Sequence, residues 1–431
     1  AHGRPGRRAT HCRSRAGDRA RGLMRRFVPP GLALIYSALP LFPSFIALTG
    51  VAFPGVSLLP MPATLAVLGG CCVLAIYAIV MLARYPLRGS QPLLLPLFSI
   101  FAAGLLAGCL GFDPRSGLLF TFIGGLGIIW HCSIMRFYGD RYAAPTLFCA
   151  YLLSGGIAAA VAIATVVLRV PPALYALQHG RATGTFILPG ELAGYLIVLL
   201  PVAFAVARVA SLRAIRGLAW VVFGVGLVAL GLTFSRAGWM GAAAAAAFLV
   251  AVRTRRPAIA AGVAGAGLLA IVLLFNAHHD PSEDYTRLSI WQAAIEIINR
   301  FPLLGVGPFN FSHLYALVRA PDGDATAFHA HSLYLTFFAE FGLLGVAAVA
   351  WTMWRFASEL QRRLAVASPR AALLSCSIAA GLVGVGVQGL IDTVSVVIFG
   401  LWMPTMALAL AAARGGAENA AIGAAPSHEA L

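Results

Sequence analysis

Lysine is missing from this sequence: all 31 basic residues are arginine, set against 15 acids. Charge of either sign is scarce, at 11% of residues, where a soluble domain carries about a quarter. With 60% hydrophobic residues and a mean hydropathy of +0.86, there is too little polar surface to cover a water-soluble fold, so lipid is the solvent for most of the chain. Nucleotide motifs are missing as well: there is no Walker phosphate loop, no Rossmann glycine pattern beside a strand and no kinase signature. No Glu-rich cluster lies in a candidate outer loop, and the Asp-x-Asp of PDGD, Asp322 and Asp324, reads as a turn and not as a cation site. The expectation is therefore a metal-independent chemistry with no cofactor. Of the seven cysteines, none lies in a candidate outer loop, so no disulfide framework is implied. Adjacent Cys71 and Cys72 point in different directions on a helix and make no metal motif.

What is there in quantity is apolar sequence. Runs at 31–51, 62–83, 92–111, 117–135, 145–168, 189–207, 217–234, 237–252, 257–276, 332–354, 371–391 and 394–413 give twelve candidate spans, most near the ~20 residues that a bilayer core requires. The net charge of +16 does not point to nucleic acid, because the arginines fall in short bursts between these runs. Starting inside, the cytoplasmic segments hold twenty-four of the 31 arginines, nine of them in residues 1–26. Only Arg115, Arg169, Arg181, Arg236, Arg287, Arg300 and Arg319 fall outside. The positive-inside bias holds at every loop. The fold expected is an all-α integral membrane protein of about twelve helices. It is divided into a basic cytoplasmic arm (1–26), a transmembrane bundle of nine spans (27–276), a long outer loop (277–331), C-terminal spans (332–413) and a cytoplasmic tail (414–431). No small-residue cleavage site follows an isolated short apolar core, so no cleaved signal peptide is expected.

Two outer segments stand out, 169–190 and the much longer 277–331. A long loop without low complexity is usually functional. Within it TRLSIWQAAIEIINRF reads as an amphipathic helix, with Leu288, Trp291, Ala294, Ile295 and Ile298 on one face. PLLGVGPFNF then turns on its Pro and Gly residues.

The arginines on the depleted side carry the chemistry. Arg181 and Arg236 sit beside spans and Arg287 sits in the long loop; guanidinium groups stay charged and bind phosphate in bidentate fashion, so three converging arginines suit a diphosphate. The competing reading pairs each with a local carboxylate, Glu191, Glu283 or Asp284. His329 and His331 enter the next span, where an imidazole can act as a general base near neutral pH; an interfacial, hydrogen-bonded histidine is the plainer alternative. Their i, i+2 spacing does not share a helix face, and neither Cys nor Glu nearby completes a zinc set. Acids within membrane segments are costly and often functional. Of the three, Glu191 reads as a partner orienting an arginine and Asp392 as a helix cap; Glu340 is left open, as are Arg169, Arg300 and His313.

Four ordered segments resemble a known family. RATGTFILPGELAGYL (181–196), LTFSRAGWMG (from Leu232), the Arg287–Phe309 segment with Trp291, Pro302, Leu304, Gly305 and Gly307, and AHSLYLTFFAEFGLLG (330–345) are similar to motifs of the O-antigen ligase and O-antigen polymerase superfamily. Gly190 and Ser332 stand where that family usually has Asn. The resemblance implies a GT-C-like glycosyltransferase in the bacterial inner membrane with a periplasmic loop and site. It would move a glycan from undecaprenyl diphosphate to a sugar hydroxyl of the lipid A–core oligosaccharide, with membrane lipids as its surroundings. His331 and Arg287 become the catalytic candidates, and Arg181, Arg236 and Arg287 the diphosphate ligands. Glu191, His329 and Tyr334 stand in support. The alternatives are an O-antigen polymerase, a protein O-oligosaccharyltransferase, or, in another class, a transporter or flippase of an anionic glycolipid; a transporter would show paired halves and broken helices, which the sequence does not clearly carry.

Overall fold

The computed structural model describes residues 61–414 apart from 88, 139–142, 171–174, 177, 187, 255, 276–280, 322, 326 and 393–396. The basic arm, the first apolar run at 31–51 and the C-terminal tail beyond Arg414 lie outside the described residues. Within them every ordered element is a helix: α1 (Met61–Arg84), α2 (Leu94–Leu110), α3 (Pro114–Phe137), α4 (Ala143–Leu168), α5 (Pro189–Val209), α6 (Arg213–Leu232), α7 (Arg236–Thr254), α8 (Pro257–Phe275), α9 (Pro281–Arg300), α10 (Phe311–Val318), α11 (Leu333–Leu364), α12 (Pro369–Gln388) and α13 (Val397–Ala412). The start signals are local. Asp113 accepts the Arg115 N–H ahead of Pro114, and Ser368 accepts the Ala371 N–H ahead of Pro369, each a side-chain cap with Pro in the first turn.

Six helices are long and apolar enough to cross a membrane, namely α4, α5, α6, α7, α11 and α12; α2 and parts of α1, α3, α8 and α13 are shorter apolar stretches. The described residues are thus all-helical, and the protein is a multi-pass membrane protein. α5 is the axis, buried from Glu191 to Ala207 on nearly every side and packed by α4, α6, α7 and α12. Small residues let backbones approach. A Cβ on Gly241 of α7 would lie 2.6 Å from the Gly384 carbonyl oxygen of α12, and one on Gly108 of α2 would lie 2.7 Å from the Gly117 Cα of α3. Such contacts replace the hydrophobic drive that lipid does not supply. Outward faces such as Val73, Ile76 and Val80 on α1 or Val221, Leu227 and Val228 on α6 remain exposed and apolar.

The bundle has two chemically different ends. At one, arginines cap carbonyls: Arg136 reaches Tyr85 and Pro86, Arg414 reaches Met135, and Arg363 reaches Leu410 while pairing with Glu359. The other end carries the turn between α6 and α7, the start of α5, α9, α10 and the start of α11. α9 is helical as the sequence expects, and Ala294 and Ile298 of the expected face do pack inward, but the buried stripe is rotated from it. Ile290, Ala293, Ala294 and Ile297 are buried against Phe311, Leu314, Tyr315, Ala327, Ala330 and Ala339, whereas Leu288 and Ile295 are exposed. The two stripes share Ala294; the buried one adds Ala293, and these alanines allow close approach to Ala330 and Ala339.

Candidate functional site

The turn from α6 to α7 is built by its own short side chains. Thr233 Oγ1 accepts the Ser235 N–H, Ser235 Oγ accepts the Gly238 N–H at 3.1 Å, and Phe234 takes a left-handed φ of 46°. Arg236 therefore opens α7 at the bundle surface. The chain before α5 laces onto this turn: the Ala182 N–H donates to Leu232 O, and Arg181 donates through Nε to Thr233 O at 2.9 Å and through Nη2 to Phe234 O at 3.4 Å. A cation on the last carbonyls of α6 complements the helix dipole and holds Arg181 two to three residues from Arg236.

Arg236 Nη2 in turn lies 3.5 Å from Asp284 Oδ1, with the carboxylate half-exposed, so the reading that pairs this arginine with a local acid holds in part. Asp284 is one turn ahead of Arg287 on α9. Arg287 lies close enough to His329 and His331 to depress both imidazoles electrostatically. The sequence-predicted residues are thus brought into one chain of neighbours: Arg181, the 233–236 turn, Asp284, Arg287, His331.

His329 is buried and accepts the His331 N–H at Nδ1, 3.1 Å. The two rings meet edge to face at 4.5 Å between centroids. Burial chiefly, then the Arg287 charge, holds His331 at a pKa of about 4, with Asp324 pulling the other way. Burial, His331 and Arg287 push His329 well below its ordinary value. Both rings are neutral at neutral pH. Asp324 was legible in the sequence only as part of a turn; its field at His331 is a tertiary fact.

A main-chain clasp joins α9 to α11. At Gly342 (φ 60°, ψ −166°) α11 breaks its helical path, and the Pro302–Gly307 loop fills the gap. Leu343 N–H donates to Pro302 O (2.8 Å), Leu344 N–H to Leu303 O (3.2 Å), Val306 N–H to Ala339 O (2.9 Å) and Gly307 N–H to Glu340 O (3.0 Å). A Cβ at Gly342 would collide with the Leu303 carbonyl, and one at Gly305 with that of Glu340. The buried Glu340 carboxylate accepts the N–H groups of Phe309 and Phe311. Asn310 Oδ1 accepts the Asp113 N–H, tying in the α2–α3 turn. Glu340 therefore holds a loop and has no counter-cation among the described residues.

The start of α5 closes the site. Glu191 is buried in its first turn. Gln388 Nε2 donates to Gly190 O at 2.8 Å, and the Asp392 carboxylate occupies the space a side chain at 190 would take. Asp392 O and Gly389 O both accept the Leu333 N–H, two residues beyond His331. Tyr334 is an inter-helix tie, its OH donating to Gly386 O at 2.8 Å. Sequence reasoning reads Asp392 as a cap and misses this meeting with Gly190; a glycine facing an acid some two hundred residues away carries no local signal.

The arrangement offers three guanidinium groups, a neutral imidazole and carboxylates at one end of the bundle, equipment for binding an anionic group and taking a proton. No group of three His, Cys, Asp or Glu side chains with metal-site proximity occurs among the described residues. Residues 218–350 match the family model described as O-Antigen ligase. That segment contains the α6–α7 turn with Arg236, all of α9, the clasp and His331, and begins after Arg181 and Glu191. No curated protein matches the chain.

Proposed function

We propose that this protein, an O-antigen ligase-family protein through its matched segment, transfers an O-antigen glycan from undecaprenyl diphosphate to a sugar hydroxyl of the lipid A–core oligosaccharide. Glycosyl transfer on lipid-linked glycans is the chemistry of the family. In our reading the site faces the periplasm of the bacterial inner membrane, the termini face the cytoplasm, and twelve spans carry the chain with 277–331 as the long outer loop.

The observation that supports the proposal is the series of links from Arg181 to the 233–234 turn, from Arg236 to Asp284, along one turn of α9 to Arg287, and from the Arg287 charge to His331. The bond from sugar C1 to the diphosphate oxygen breaks as the acceptor oxygen bonds to C1 from the opposite face, inverting the centre. The acceptor proton passes to His331, and the departing diphosphate takes the electron pair. Arg181, Arg236 and Arg287 stabilise that charge. The low pKa of His331 keeps the ring unprotonated and ready. An anionic donor beside Arg287 offsets its charge and brings the imidazole back toward neutral pH, where it accepts a proton more readily. Glu191, His329 and Tyr334 support these groups, and α9 with the clasp shields the reacting carbon from water.

The test is transfer in vitro from polyprenyl-diphosphate glycan to lipid A–core, with chelator present. Labelled core lipid supports the ligase. Elongated lipid-linked glycan without labelled core supports a polymerase, and translocation without either product supports a transporter; both refute the proposal.

A further inference from the structure

We infer that His329 is a positioning residue, an uncharged imidazole protonated at Nε2 that fixes the backbone, and so the ring direction, of His331. The inference rests on the reading of His331 as the base.

The hydrogen bond between them sets the tautomer. His331 N–H donates to His329 Nδ1 at 3.1 Å. A ring nitrogen that accepts carries no proton, so a neutral His329 carries its hydrogen on Nε2. That nitrogen is buried and meets no partner among the described residues, so the form is set at Nδ1, where the His331 N–H donates against an opposing pull from the residue's own carbonyl. Protonating the ring would break this bond and bury a cation beside Arg287 and His331, which is why His329 is held neutral.

The same bond sets geometry. A side-chain acceptor on one residue and the N–H two residues on close a ring like that of an Asx turn, bridging Ala330, whose own N–H goes to Thr336 Oγ1 at 3.0 Å. The product is His331 at φ 47°, a left-handed conformation that a residue with a Cβ adopts only at a cost. The Phe328 and His331 rings each meet the His329 ring edge to face, at 4.2 and 4.5 Å between centroids. Ser332 and Leu333 are already anchored to the 389–392 segment, so the chain on the far side is fixed. Remove the Nδ1 acceptor and His331 relaxes out of the left-handed region, swinging its imidazole away from Arg287. A displacement of about an ångström at a reacting group costs on the order of a hundredfold in rate.

The test uses the full chain in lipid nanodiscs with lipid-linked donor. His329→Asn puts an amide oxygen where Nδ1 stands. His329→Gln reaches only the Nε2 position, and His329→Leu fills volume alone. Expected is kcat within about threefold of wild type for Asn, and a loss of about a hundredfold for Gln and Leu, with the KM for donor little changed. Asn as impaired as Leu, or Leu at the wild-type rate, overturns the role. Solid-state NMR on 15N-histidine protein, as a difference between wild type and His329→Asn, reads the tautomer without reference to activity. An imidazolium or Nδ1–H signature for His329 also overturns it. Full transfer by His331→Ala would instead refute the base, and the positioning role with it, while leaving the nitrogen signature unchanged; that outcome identifies which premise failed.

Discussion

Replacing Gly342 by alanine tests whether the α9–α11 clasp holds the site together. The residue sits at φ 60°, ψ −166°, a region open essentially to glycine alone, and forcing a side chain into it costs about 1–3 kcal/mol. The new Cβ also collides with the Leu303 carbonyl and crowds the Gly305 nitrogen. Relief requires the loop to withdraw, which endangers the four main-chain bonds across the clasp, each contributing about 1 kcal/mol net. Losing two of them with the strain gives about 3–5 kcal/mol, enough to open the clasp in most molecules without unfolding the bundle. The clasp joins the helix bearing Arg287 to the one His331 leads into, so transfer should fall by two orders of magnitude or so while the circular dichroism of the helices is retained. The assay pairs glycan transfer with thermal melting in nanodiscs. Gly224→Ala, in open space on α6, is the control and should leave both unchanged. Wild-type transfer and melting by Gly342→Ala would refute the view that the clasp sets the distance between arginine and histidine.

Arg287→Lys should lose most transfer despite retaining its charge, because one ammonium cannot reproduce the planar fork on a diphosphate; rates near wild type would remove the diphosphate role. His331 must be neutral to accept a proton, and its folded-state pKa lies below the ordinary value, so the acid limb of kcat/KM for the free enzyme should fall near pH 4 and not near 6.5. The same depression means that the contribution of this group to stability is lost as pH falls through that window; a limb at 6.5 contradicts the burial argument. Gly190→Ala should lower both melting temperature and transfer, because the Asp392 carboxylate occupies that space, and Asp392→Gly in the same chain should restore the melting temperature. Failure of the second change to help would show that the two sites are uncoupled.

Sequence alone determined the solvent and the segmentation. Apolar runs need no distant partner to become helices in lipid, and eleven of the twelve coincide with helices in the described residues. Arginines on the depleted side and the histidine pair were visible as types in unusual places. Tertiary structure decided what periodicity left degenerate. The face with Leu288 and Ile295 and the face with Ile290 and Ile297 are equally apolar on paper, and only the room beside Ala330 and Ala339 selects the second. Glu340 looks like a functional acid until its carboxylate is seen on two backbone N–H groups. The same holds for Gly190 under Asp392 and His329 on the His331 N–H. Each depends on which groups converge through space, and at sequence separations from two to two hundred residues no local propensity encodes that convergence.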